Sequence, residues 1–151
     1  MSPQVRFYIL SSEDLQARNV FACRLAERAW KSGVKTYIAL NDENDMTMMD
    51  SLLWSFREDS FLPHAEVDRG DPANVQSDVP VTFGYGKDMP QNHNGLLINL
   101  SNRFPDDTGC FSRIAEIVVQ VEEVLTITRK HFQLYNKKEM HPKSERIGKA
   151  V

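Results

Sequence analysis

Arg129, Phe132 and Tyr135 stand three residues apart, so on a helix a guanidinium and two aromatic rings share one face. Such a face can hold an aromatic or apolar group beside a carboxylate, with arginine supplying a charge-assisted hydrogen bond. Between positions 129 and 149 stand Arg129, Lys130, Lys137, Lys138, Lys143, Arg146 and Lys149 against only Glu139 and Glu145, a local charge of +5. The rest of the chain holds eleven basic and nineteen acidic residues, −8, so the net formal charge of −3 hides a sharp asymmetry. A ligand that carries a carboxylate beside an apolar group suits this segment. Single-stranded nucleic acid, its bases stacked on the aromatics, is the alternative ligand. A solvated helix end whose cations merely complement the helix dipole has the same composition.

A second cluster is apolar. Leu52, Leu53, Trp54, Ser55 and Phe56 are followed closely by Phe61, Leu62, Pro63 and His64. Leu53 and Phe56 fit a helix stripe facing a core. Trp54 and Phe61 exceed what one stripe needs, and tryptophan is favoured at the energetic centre of protein–protein contacts.

Catalytic arrangements are not apparent. The turn after the first expected strand reads Ser11, Ser12, Glu13, Asp14, where a dinucleotide site would need glycines and two acids repel phosphate. His64, His93, His131 and His141 show no metal-ligand spacing with one another or with a cysteine. His93 and His141 lie in polar segments and are expected in solvent. His131 falls among the basic residues of the last helix, and His64 is expected to make a structural hydrogen bond. Asp42 and Glu43 follow the second strand, where many α/β enzymes place ligand contacts, but a solvated loop is the favoured reading, since Asp and Glu are so often simply exposed. Cys23 and Cys110 are too few for a disulfide scaffold and read as reduced thiols, Cys23 as a small buried hydrophobe. The residues favour binding over independent catalysis, with no metal or cofactor. A small enzyme with a site built from distant residues is a third reading.

The elements that position these groups follow from periodicity. Residues 5–10, 35–40, 81–85 and 96–100 read as strands, and 115–119 as a fifth, although 114–125 also suits the start of a long helix. Residues 15–31, 45–57 and 122–138 read as helices. Ala17, Phe21, Leu25 and Ala29 form an apolar stripe on the first of them, and Gly33 supplies a left-handed cap. Residues 66–80 and 86–95 read as loops, and 60–64 as a short apolar extended piece. The alternation of strand and helix argues for a single α/β domain of three layers with a mainly parallel, covered sheet. The domain is expected to span residues 1–138, leaving 139–151 as a polar, frayed tail. No basic region followed by an apolar run opens the sequence, and no run approaches the roughly 18 apolar residues of a membrane span. A cytoplasmic location is expected.

Taken in order, these segments resemble the chi subunit family of the bacterial DNA polymerase III holoenzyme. The matching pieces are Phe7, Tyr8, Ile9 and Leu10, residues 23–33 (CRLAERAWKSG) and 34–40, Leu53 and Trp54 with residues 60–64 (SFLPH), residues 96–100, and the basic, aromatic last helix. The likeness runs from about residue 4 to 138, and LW followed by SFLPH is its most specific part. The resemblance implies an α/β fold related to nucleotide-binding folds but without a nucleotide site. It implies no activity of its own, only membership of a DNA-directed DNA polymerase complex. The implied partners are the psi subunit, which ties the chain to the clamp loader, and the acidic, Phe-terminated tail of single-stranded-DNA-binding protein. Contact with single-stranded DNA is then indirect. Trp54, Phe61, Leu53, Pro63 and His64 would belong to the psi side, where an accessory helicase would compete. Arg129, Lys130, Phe132, Tyr135 and Lys138 would belong to the tail pocket. Two positions depart from the family: Phe132 stands where tyrosine is common, and Leu125, one turn before Arg129, replaces a basic residue. Lys130, Lys137 or Lys138 would then compensate.

Overall fold

The computed structural model describes residues 3–57, 62–66, 79–86, 89–90, 93–105 and 108–148. Its elements in chain order are β1 (Gln4–Leu10), α1 (Leu15–Lys31), β2 (Thr36–Leu40), α2 (Glu43–Ser55), β3 (His64–Glu66), β4 (Val81–Tyr85), β5 (Leu96–Asn99), β6 (Arg113–Val118), α3 (Glu122–Lys137) and β7 (Lys143–Ile147). The strands form one sheet in the order β3-β4-β2-β5-β6-β1-β7, and all the pairings among the described strands are parallel. This is the α/β architecture expected from the sequence, in one domain.

Both faces of the sheet are covered, which is why β2 and β5 read as unbroken buried runs rather than alternating ones. Ala22, Cys23 and Ala26 of α1 and Met46, Met49 and Leu53 of α2 pack on Leu10, Ile38, Leu40, Phe83, Ile98 and Ile117 on one face. On the other face Tyr135 of α3 packs with Val5, Phe7, Tyr37, Leu97, Ile114 and Val118. The thiol of Cys23 is held by burial at a pKa of about 12, so it is an apolar packing group.

The helix ends follow local chemistry. Asp14 caps α1, its carboxylate accepting from the Gln16 amide at 3.0 Å. At the other end the Gly33 amide donates to Trp30 O and the Val34 amide to Ala29 O, with Gly33 at φ +79. Asp42 caps α2 and accepts from the Asp45 amide at 2.9 Å. Asp42 is thus a helix cap rather than a ligand contact or a merely solvated acid. Residues 114–118 are strand, which resolves the ambiguity between strand and helix there.

Three expectations need correction. Residues 143–147 are not frayed: they form β7, paired with β1 from Arg6↔Lys143 to Leu10↔Ile147. The segment KSERI has a single apolar residue, but an edge strand tolerates charge on both faces. β3 was hidden because three residues after a proline are too short to show a period. The loop read over 66–80 lies largely outside the described residues.

His93 is the third. It is half-buried, its Nδ1 accepts from the Gly95 amide at 3.1 Å, and its ring lies 4.9 Å from Phe111. Burial, and then the charge of Lys35, lower its pKa from 6.5 to about 4. The unfolded chain therefore binds more protons in that window, so stability is fully present above pH 6.5 and is lost as pH falls towards 4. We expect His93→Gln to flatten this acid limb by roughly 2 kcal/mol, read from urea unfolding at pH 7 and pH 4.5. Parallel acid limbs in the two proteins would refute the assignment. No helix among the described residues is long and apolar enough to cross a membrane.

Candidate protein-binding surfaces

The α3 face is organised around a buried carboxylate. Glu116 interrupts the apolar run of β6 and is fully buried. Its Oε2 accepts from Tyr135 Oη at 2.8 Å and from Asn99 Nδ2 at 2.9 Å, and its Oε1 lies 3.2 Å from His131 Nδ1. His131 Nε2 in turn faces the Asn102 carbonyl at 3.3 Å. Asn99 Oδ1 accepts from the Ser101 hydroxyl at 2.6 Å and the Ser101 amide at 3.1 Å, and Asn99 Nδ2 also donates to Arg103 O. Burial, the adjacent Glu116 charge and the hydrogen bond to it raise the Tyr135 pKa well above the ordinary tyrosine range. The network fixes α3 on β5 and β6, since Tyr135 Oη, both ring nitrogens of His131 and Glu116 Oε1 would lose their partners if the helix shifted by a turn.

That docking sets what α3 shows to solvent. Phe132 is half-buried against Phe7, ring centroids 5.1 Å apart and edge to face. Arg129 and Lys130 are exposed one turn earlier. Tyr135 lies between Phe7, at 5.9 Å, and Phe104, at 4.7 Å. Lys138 sits at the far end of this row with its ammonium 5.3 Å from the Phe104 ring centroid. A cation beside a half-exposed ring, Arg129 beside Phe132, is therefore present on the surface. Tyr135 is not: it is fully buried, and its hydroxyl donates to Glu116.

At the opposite side of the molecule, Trp54 at the end of α2 is 59% exposed. Its ring meets His64 edge-on at 4.9 Å. The His64 side chain is itself buried, Nδ1 lying 2.7 Å from Leu62 O and Nε2 3.4 Å from Asp50 Oδ1. Arg57 pairs with the buried Glu27 at 3.0 Å, tying the end of α2 to α1. Trp54 is thus an exposed ring on a fixed support. Leu53, expected beside it, is a core residue at 1% exposure. Pro63 is half-buried, and Phe61 lies outside the described residues.

The crevice over the carboxyl ends of β2 and β5, where α/β domains commonly bind ligands, has a volume of about 640 Å³. Arg18 reaches into it, but its guanidinium is used by the fold: Nε donates to Ile117 O at 2.8 Å and Nη1 to Leu100 O at 3.3 Å. Asp45, Glu122 and Glu123 line the rest with negative charge. Among the described residues no cluster of His, Cys, Asp and Glu is arranged to hold a metal ion.

The sequence pattern of the family described as DNA polymerase III chi subunit, HolC, matches residues 2–143. The chain belongs to the DNA polymerase III chi subunit family. Among chi relatives, the protein of Pseudomonas aeruginosa is 39% identical over 132 residues, covering 87% of this chain and 88% of that protein. The Haemophilus influenzae chi subunit is 26% identical over 148 residues, 98% of this chain and all of the relative. The Escherichia coli chi subunit is 25% identical over 133 residues, 85% and 88% of the two chains.

Within this chi-family chain, Arg129 is exposed on the side of Phe132, Lys130 is exposed further round the helix, and Tyr135 is inside. Glu116 was not singled out from the sequence. Its signal was available: a lone acid in an apolar strand run, with His131 and Tyr135 four residues apart on a later helix. His131, read as one more basic residue of the last helix, is 2% exposed and belongs to that network.

Proposed function

We propose that the chain is a non-catalytic accessory subunit of the DNA polymerase III holoenzyme, working in the bacterial cytoplasm during DNA replication. It bridges the clamp loader, through the psi subunit, to the C-terminal tail of single-stranded-DNA-binding protein. The plan of a nucleotide-binding α/β domain is here used for protein contacts. Arg129, with Lys130 and Lys138 nearby, attracts the acidic tail, and Phe132 receives its terminal apolar side chain. Trp54 and Pro63 present the psi side, with the buried Leu53 and His64 behind them; Phe61 is assigned to the same side by the family resemblance alone, and an accessory helicase competes there. The observation that carries the tail assignment is the exposed Arg129 beside the half-buried Phe132 on a helix that the Glu116 network holds in place.

A charge-assisted pair of this kind contributes about 1.5–3 kcal/mol. Arg129→Ala is therefore expected to weaken a fluorescein-labelled peptide of several aspartates ending in phenylalanine by about 10- to 100-fold. Fluorescence anisotropy reads the affinity, and circular dichroism checks that the fold is unchanged. Unchanged affinity removes Arg129 from the site. Direct binding of single-stranded DNA without the tail protein, falling steeply with salt, would favour a nucleic-acid module instead.

A further inference from the structure

β7 places a further cation on the α3 face. In a parallel pair, residues in register point to the same side of the sheet. Phe7 and Ile9 of β1 face α3, whereas Tyr8 and Leu10 face α1. Ser144 is in register with Phe7 and Arg146 with Ile9, so both project towards α3. Lys143 and Glu145 project the other way, where Glu145 pairs with Arg6 at 3.1 Å and both line the cleft beside α1 with Arg28. Ile147, packed with the α1-side core, confirms the alternation.

Phe132, Ile9 and Leu125 are half-buried in one apolar cluster. Leu125 lies two turns before Phe132 on the same helical face, and Ile9 lies two register pairs beyond Phe7, against which Phe132 packs. Together they form a half-buried apolar strip between α3 and the sheet edge. Arg129 is exposed on its helix side, and Arg146 on its strand side, with no acidic partner among the described residues. An extended chain with carboxylates and an apolar end fits a slot of this kind, with cations on both sides and an apolar floor.

We propose that Arg146 is a second cationic anchor for an acidic peptide, facing Arg129 across this slot. The inference rests on the tail-binding reading of α3 and adds a residue from a separate element to it.

The labelled acidic peptide described above, titrated into full-length variants, tests the arrangement. Arg146→Ala is expected to weaken binding about 5- to 10-fold and to lower its salt dependence, as an exposed interface charge does. Arg146→Lys should restore most of the affinity. Lys143→Ala, on the same strand but the opposite face, should change it less than about 2-fold. If Arg129→Ala weakens binding but Arg146→Ala behaves like Lys143→Ala, Arg146 is no anchor and the α3 site stands alone. Equal losses for Arg146→Ala and Lys143→Ala would mean general charge attraction and overturn the facing geometry. If neither Arg129→Ala nor Arg146→Ala weakens binding, the tail-binding reading falls and this inference with it. Loss of the β1–β7 pairing in a variant would appear as new amide exchange in β1, and Arg146→Lys then decides the outcome.

Discussion

Glu116→Ala should destabilise the fold by about 3–5 kcal/mol, the effect of removing one member of a buried charged network. Tyr135 Oη, Asn99 Nδ2 and His131 Nδ1 all meet this carboxylate within 3.2 Å, and the alanine would leave Tyr135 Oη and His131 Nδ1 unsatisfied and Asn99 Nδ2 with Arg103 O alone. Urea unfolding at pH 7 measures the loss. Glu116→Gln should be milder, about 1–2 kcal/mol, because one amide oxygen can still accept from Tyr135 and Asn99. Its amide group can donate to His131 Nδ1 when His131 carries its proton on Nε2, towards the Asn102 carbonyl. A Glu116→Ala protein within about 1 kcal/mol of the parent would show that α3 is held by apolar packing alone. Peptide binding at α3 should fall with Glu116→Ala as the helix loosens, although Glu116 never touches the peptide.

Trp54→Ala should do the reverse, removing a partner while sparing the fold. The ring is 59% exposed, so its loss should shift stability by no more than about 0.5 kcal/mol. As the centre of a protein contact it should contribute 2 kcal/mol or more, which lowers affinity roughly 30-fold or beyond and abolishes co-purification with psi. Acidic-peptide binding at α3 should not change. Leu53→Ala is the contrasting variant. It deletes a core side chain at 1% exposure and should cost about 2–5 kcal/mol. Retention of psi by a folded Trp54→Ala protein would move the contact elsewhere.

The strongly periodic parts of the fold were readable from the residues. The α1 stripe, the apolar runs of β2 and β5, and the turn at Gly33 each carry a local signal that packing then obeys. β7 carries none, because a charged edge strand is defined by its neighbour, and β1 is more than 130 residues earlier in sequence. The α3 site was legible in part. Spacing put Arg129, Phe132 and Tyr135 on one face, but a helix face is wide, and spacing does not say where the sheet surface ends. Tyr135 falls on the covered side because an acid 19 residues away accepts its hydroxyl. The same reasoning explains Trp54 and Leu53, adjacent in sequence and opposite in exposure.

The strand order also fixes a distance. Trp54 lies over β3 at one edge of the sheet and on the α1–α2 face, whereas Phe132 and Arg146 lie over β1 and on β7 at the other edge and on the opposite face. Six strand intervals separate those edges, about 25–30 Å at the usual spacing. The sheet therefore acts as a rigid spacer that holds two molecules seated at its ends on opposite faces and opposite edges. Their mutual reinforcement would come from tethering, by raising the local concentration of one near the other, and not from a contact between them.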